Sequence, residues 1–409
     1  MSFLVAIAGL AFLVLIHEAG HFFVALAVGM RPRKFYIFFP PPLVKTVRNG
    51  IEYGIGTIPL GGYVKIPGMH RPAPRDVEAH LGPALEEAPW LRGAVARLQT
   101  ELEQEDLAGA REACAELRTG VETADLTPTA RKAAERGITD VEDGVSPDAY
   151  WRAPAWKRIA VIFAGPGTNL AFAIVALAIV AMLGLETPTR SVARVDPSSP
   201  AAAAGLRAGD EIVAVDDKEM DGFTDIRSEI QARDGTPVTL TVRQGSRRRT
   251  VGPIRPRYDR SLRRFIIGYT PAIVERDYAP GPAFSYALRT TGELTVLTGK
   301  ALGRLFTGSG RKDISGVVGV TQASSQAAKS GFKEYLGILA FISLSLALLN
   351  LLPLLPLDGG HIAFSIVERL RRRPVPREAY ERFSAVGIAF VVLLMFIGLS
   401  NDIERIHGG

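Results

Sequence analysis

Four apolar runs, at about residues 3–28, 159–185, 335–355 and 385–399, alternate with charged stretches along this 409-residue chain. That pattern sets the fold class, because roughly 20 consecutive apolar residues are enough to cross a bilayer. The first two runs are comfortably long enough. The fourth is short and is expected to need help from its flanks. The first run lacks a basic leading segment and carries polar residues inside it, so it reads as a span rather than a cleaved signal peptide. The formal net charge of +6 calls for no nucleic-acid partner, since Arg and Lys cluster beside the apolar runs. A single cysteine, Cys114, excludes an intrachain disulfide and a cysteine-based zinc site. It reads as a buried or idle thiol.

Basic residues set the expected orientation. Arg31, Arg33 and Lys34 follow the first run, Arg152, Lys157 and Arg158 precede the second, and Arg369, Arg371, Arg372, Arg373 and Arg377 separate the third from the fourth. All three clusters then lie on one, cytoplasmic, side. The loop between the second and third runs faces outward. Eight segments result: a span at 1–30, a membrane-associated β-hairpin at 31–75, a cytoplasmic helical insert at 76–150 and a span at 151–187. They continue with an outer α+β domain at 188–272, an amphipathic interfacial helix and linker at 273–333, a span at 334–364, and a basic loop with the last span at 365–409.

The hairpin reading rests on Asn49-Gly50 between two β-rich stretches. The acidic insert reads as two or three short helices, with breaks near Pro128 and Gly137. In the outer domain, strands are predicted at Glu211–Val215 and Val238–Arg243, with a helix near Thr224–Ala232. Between Ala283 and Phe306, Arg289, Glu293, Lys300 and Arg304 fall on one helical face, the pattern of a helix lying in the membrane interface.

The first run contains His17-Glu18-Ala19-Gly20-His21. On a helix, residues four apart share one face about 6 Å apart, so both imidazoles can reach one zinc ion. Glu18 lies about 100° round the axis, badly placed to share the metal but well placed to act as base toward a water beside it. Three ionisable groups inside an apolar span are costly and point to function. A third ligand must come from elsewhere, because Val24 and Ala27 stand where an extended motif would have Gly and His. Asp358 is one candidate, at the end of an apolar run broken by Pro353 and Pro356. A helix N-cap is its other reading, and His361 is a rival ligand.

These motifs together resemble the site-2 protease family of intramembrane zinc metalloproteases, and within it the bacterial RseP type. The likeness rests on His17 to His21, on Gly61-Gly62-Tyr63-Val64-Lys65, on Phe163-Ala164-Gly165-Pro166-Gly167-Thr168-Asn169 and on Asn350 to Gly360. It covers nearly the whole chain apart from the insert. It implies Zn2+ as cofactor, held by His17, His21 and Asp358, with Glu18 as base. It also implies that Asn350 helps to hold the substrate and that the hairpin, through Gly61, Gly62, Tyr63 and Val64, pairs with an unwound substrate segment. Asn169 reads either as a substrate contact or as a packing contact between helices.

The outer domain is similar to a PDZ domain of the circularly permuted bacterial type, mainly through Ser199 to Ile212. Such domains take extended peptides or C-termini at a sheet edge. The expected setting is the bacterial inner membrane, with the lipid bilayer and a single-span membrane protein, already clipped by another protease, as partners. Candidate substrates are anti-sigma factors or remnant signal peptides. Two other readings compete: a catalytically idle membrane scaffold, and a metal transporter, which has no need of Glu18, a hairpin or a peptide-binding module.

Overall fold

The computed structural model describes residues 2–259, 262, 264–306, 316–373 and 375–407. They form two compact units, one made of the residues up to Leu177 and from Ala287 onward, the other of Ala178–Tyr286.

In the first unit, helix α1 (Ser2–Ala27) buries Ala6, Gly9, Leu13, His17, Gly20 and His21 at helical spacing and exposes Phe3, Leu4 and Phe23. Apart from Leu13 and Phe22, the inward stripe is small or polar, and the outward face carries large apolar residues, as a lipid-facing helix requires. Strands β1 (Lys34–Arg48) and β2 (Ile51–Lys65) pair antiparallel through a turn at Asn49 and Gly50, both at positive φ. Paired positive φ values match the right-handed twist of a hairpin. The register doubles: Lys34–Ile37 align with Glu52–Ile55 and also with Gly62–Lys65. The first part of β1 is therefore central, and Gly62–Lys65 has β1 on one side only.

The insert is a four-helix bundle: α2 (Pro74–Glu87), α3 (Arg92–Glu103), α4 (Leu107–Thr123) and α5 (Pro128–Val145). Its core gathers Leu81, Leu91, Leu98, Leu117 and Ile138, with Cys114 buried among them. The sequence reading expected two or three helices and a break at Gly137. Instead, Gly137 sits inside α5, where a Cβ would lie 2.4 Å from the Cβ of His80. Close approach of two helices, not a chain break, accounts for that glycine. Pro128 starts α5 behind its cap Thr127, the position proline favours.

Helix α6 (Ala155–Met182) leads into the second unit. There β3 (Leu185–Val195), α7 (Pro200–Ala203), β4 (Glu211–Val215), β5 (Lys218–Glu219), α8 (Phe223–Ala232), β6 (Val238–Gln244), β7 (Arg247–Ile254), β8 (Arg257–Asp259), β9 (Arg264–Ile266) and β10 (Tyr269–Arg276) follow in order. The main sheet runs β10-β3-β4-β6-β7 with β5 beside β4, and β8 pairs β9. Ile212, Met220, Ile226, Leu240 and Val242 form its core. Gly205 and Gly209 hold positive φ around the turn before β4, and the fully buried Asp210 accepts from Arg207 N and from Arg249.

Helix α9 (Pro280–Phe306) buries Ala283, Ala287 and Thr291 at four-residue spacing. Within the first unit, helix α10 (Val317–Ser330) packs on α1 and on α11 (Phe332–Asn350), and α12 (Asp358–Arg371) and α13 (Arg377–His407) follow. The sequence reading took residues 273–333 beyond the amphipathic helix as linker. Instead, α10 forms there, because Asp402 of α13 accepts hydrogen bonds from the N–H groups of Gly316, Val318 and Gly319. A carboxylate at a helix N-terminus satisfies orphan donors and complements the dipole. Among the described residues, four helices are long and apolar enough to cross a membrane: Ser2–Ala27, Ala155–Met182, Phe332–Asn350 and Glu378–Glu404. The last is longer than its apolar run of 385–399 suggested, because helix-forming charged residues extend it at both ends.

Candidate active site

His17 and His21 stack one turn apart on the buried face of α1, and Asp358 enters from the first turn of α12. Their inward atoms form a nearly equilateral triangle. His17 Nε2 lies 3.3 Å from His21 Nε2 and 3.3 Å from Asp358 Oδ2, and His21 Nε2 lies 3.4 Å from the same oxygen. Ligand atoms about 2.0–2.1 Å from a tetrahedral zinc stand about 3.3–3.4 Å apart, so this donor set fits the ion. Asp358 Oδ2 is buried and faces the two imidazole nitrogens, a convergence of three donor atoms that a cation suits. Asp358 caps no backbone group of α12. His361 lies one turn further along α12, outside the three converging groups.

The surrounding chain fixes these rings. His21 Nδ1 donates to the carbonyl of Val161 on α6 at 2.8 Å. Nε2 is then the nitrogen that points into the triangle and, in a neutral ring, carries the lone pair. Asn169, fully buried on α6, places its amide 3.3 Å from His17 Nδ1, and Ser343 of α11 donates to its backbone carbonyl at 2.9 Å. Asn169 thus stands behind a histidine rather than in a space open to substrate. Gly165 lets α6 come this close: a Cβ there would lie 2.2 Å from His21 Nε2. At Gly20, a Cβ would lie 2.4 Å from the Ala164 carbonyl oxygen.

Glu18, the neighbour of His17 on α1, lies against the hairpin. A Cβ on Gly62 would meet the Glu18 Cγ at 2.2 Å, so glycine is required where the strand crosses the carboxylate. Gly61 sits likewise against the Phe39 ring, and Tyr63 and Val64 align with Tyr36 and Phe35. At the hairpin base, burial and the hydrogen bond to Glu52 push the Tyr36 phenol up to about 12. Hydrogen bonding from Tyr36, then pairing with Lys34 and Lys45, holds Glu52 below its ordinary value. Asn350 is the last residue of α11, half-buried, just before the proline-broken loop to α12. That loop lies against α12: a Cβ on Gly359 would lie 2.3 Å from the carbonyls of Leu351 and Leu352. Sequence reasoning missed the Val161 carbonyl, since backbone groups carry no residue signature. It noted Gly165 only as part of a motif.

Residues 5–394 match peptidase family M50. The chain is 27% identical to the regulator of sigma-W protease RasP of Bacillus subtilis, over 96% of this chain and 96% of that protein. It is 28% identical to the zinc metalloprotease RasP of Geobacillus kaustophilus, over 99% and 97%. The chain therefore belongs to peptidase family M50, the site-2 proteases, and is a zinc metalloprotease carrying four helices fit to cross a membrane.

Proposed function

We propose that this enzyme cuts single-span membrane proteins inside or at the edge of the bilayer, with His17, His21 and Asp358 as zinc ligands and Glu18 as general base. The observation that carries this reading is the 3.3–3.4 Å triangle of donor atoms beside a carboxylate that is itself covered by a strand edge. Zinc held by these three residues would supply Lewis acidity, polarising the scissile carbonyl and acidifying the attacking water. Glu18 accepts the proton of the attacking water and returns it to the departing amine. Val161 orients His21, and Asn169 orients His17. With Asn169 Oδ1, which has no other partner, turned to the ring, the amide accepts Nδ1–H and leaves Nε2 free for the metal.

A substrate helix ties its carbonyls into i to i−4 hydrogen bonds, and freeing them in hydrocarbon is costly. The unpartnered side of Gly61 to Lys65 offers replacement bonds by strand addition, and Asn350 adds a side-chain amide. The name of the Bacillus relative points to a membrane-bound regulator of a sigma factor as the substrate class. The flanking basic clusters support a bacterial inner-membrane enzyme with its insert on the cytoplasmic side and its α+β unit outside.

The outer unit reads as a PDZ domain. A groove of about 390 Å³ lies between α8 and the Arg264–Thr270 stretch. The Gln231 side chain already donates to the Phe265 carbonyl and accepts from the Phe265 N–H. A bound C-terminus must displace Gln231, which favours a size filter over a constitutive peptide receptor.

The test is cleavage of a tagged single-span substrate in liposomes by wild type and Glu18→Gln, with zinc content measured in both. Cleavage by wild type alone, with zinc in both, supports the reading. Equal cleavage, or none by either, sinks it in favour of another base or an idle scaffold.

A further inference from the structure

Helix α5 ends with acids where a helix prefers cations. Asp140 and Asp143 sit in its last two turns, its last turn has no basic residue, and Asp148 follows three residues beyond. Carboxylates near a helix C-terminus oppose the dipole, and Asp143 is only 6% exposed. Burying such a charge is costly unless it is paired. The pairing cations all come from the base of the hairpin. Arg33 Nε donates to Asp143 Oδ1 at 2.8 Å, and its two terminal nitrogens hold Asp148 at 3.0 and 3.1 Å. Lys65 Nζ reaches Asp140 at 2.9 Å and Asp143 at 3.0 Å. Burial alone would raise the Asp148 carboxyl, yet Ser146 and Arg33 hold it below its ordinary value.

Arg33 directly precedes β1, Lys65 ends β2, and Arg33 N donates to the Lys65 carbonyl at 2.7 Å. The three aspartates thus grip both the entry and the exit of the hairpin. Gly62, pressed on Glu18, is three residues before Lys65, about 10 Å along the strand. A small tilt at the base therefore displaces the edge relative to the carboxylate. The insert, with a core of its own, meets these cations with charge rather than apolar surface.

We propose that the helical insert is a positioning element of the active site, with Asp140, Asp143 and Asp148 clamping Arg33 and Lys65 so that the Gly62–Lys65 edge stays aligned with Glu18. This rests on the hairpin reading above. None of the five clamp residues touches the reacting atoms.

The experiment uses the full chain in liposomes with two single-span substrates, one with an unbroken helix and one with Gly-Pro beside the cut. Arg33→Met leaves the insert sequence intact, and Asp143→Asn with Asp148→Asn leaves the hairpin intact. Each should lower kcat on the unbroken substrate about tenfold or more, with zinc content unchanged and a smaller loss on the broken one. Arg33→Lys should restore most of the rate. Hydrogen exchange supplies a second readout: amides of Tyr63–Lys65 lose protection while those of Leu98 and Leu117 keep it. Wild-type kcat and wild-type exchange at Tyr63–Lys65 in Arg33→Met would overturn the clamp while leaving the protease reading intact. Equal losses on both substrates would also overturn it, by showing a general structural role. An inactive wild type would count against the protease reading itself, and exchange would still judge the clamp.

Discussion

The insert bundle and the apolar helices are both made of packed α-helices, yet they are built inside out with respect to each other. The bundle of α2–α5 buries Leu81, Leu91, Leu98, Leu117 and Ile138 and leaves Arg97, Glu112 and Glu116 in exposed ion pairs. The membrane-length helices expose Phe3, Leu4, Met395 and Phe396 and bury His17, His21, Asn169, Ser343 and Asp402. Water drives apolar side chains together in the first region. Lipid gives no such drive in the second, where small residues and polar contacts hold helices in place. The proposed zinc site is thus housed where polar groups have few alternatives to one another.

The comparison predicts unequal responses to substitution. The largest concerns the polar interior. Glu18→Gln should cut cleavage by about 10²–10⁴-fold with zinc retained, and His21→Ala should lose the zinc as well. Zinc retained by His21→Ala, measured by metal analysis, would break the claim that the buried polar set is a metal site.

Next comes close packing around that set. Gly165→Ala places a methyl against His21 Nε2, and zinc affinity should fall by about 10–100-fold. A zinc titration equal to wild type would show that α6 yields there, and that the membrane helices pack more loosely than the glycine implies.

A matched pair then sets the two regions side by side. Leu117→Ala, fully buried in the bundle, should destabilise the insert by about 2–5 kcal/mol in denaturant unfolding. Phe396→Ala, 69% exposed on α13, should shift stability by less than about 0.5 kcal/mol. Similar losses at both sites would mean that Phe396 packs against protein instead of lipid.

The smallest effect is at the bundle surface. Glu116→Ala removes a partner of the exposed Arg97 and should cost under about 0.5 kcal/mol, less still at high salt. A larger loss would make surface pairing a main support of the bundle.

Local rules made much of this readable from the chain. Runs of apolar residues mark the membrane-length helices because hydrocarbon excludes charge wherever the helix lies. Asn49-Gly50 marks the hairpin because few residue pairs accept two positive φ values. His17 and His21 share a face because 3.6 residues make a turn. The same rules misjudged Gly137, where a partner helix rather than the local chain requires glycine, and overlooked α10, whose cap comes from Asp402.

What only the tertiary structure decided has one physical character: contacts between residues far apart in sequence, which leave no periodic trace in a single chain. Asp358 meets the two histidines from α12, a juxtaposition that the sequence reading left open between Asp358 and His361. Val161 sets the ring of His21 with a carbonyl that every residue type possesses. Asp143 and Asp148 meet Arg33 across the hairpin base, although in sequence they are merely acids at a helix end. The sequence by itself determined which segments are helix, strand or turn and which face of each is polar, because those follow from bonds spanning a few residues. Which polar face meets which was settled by packing, because the free energy of a buried charge depends on the partner brought to it by the whole fold.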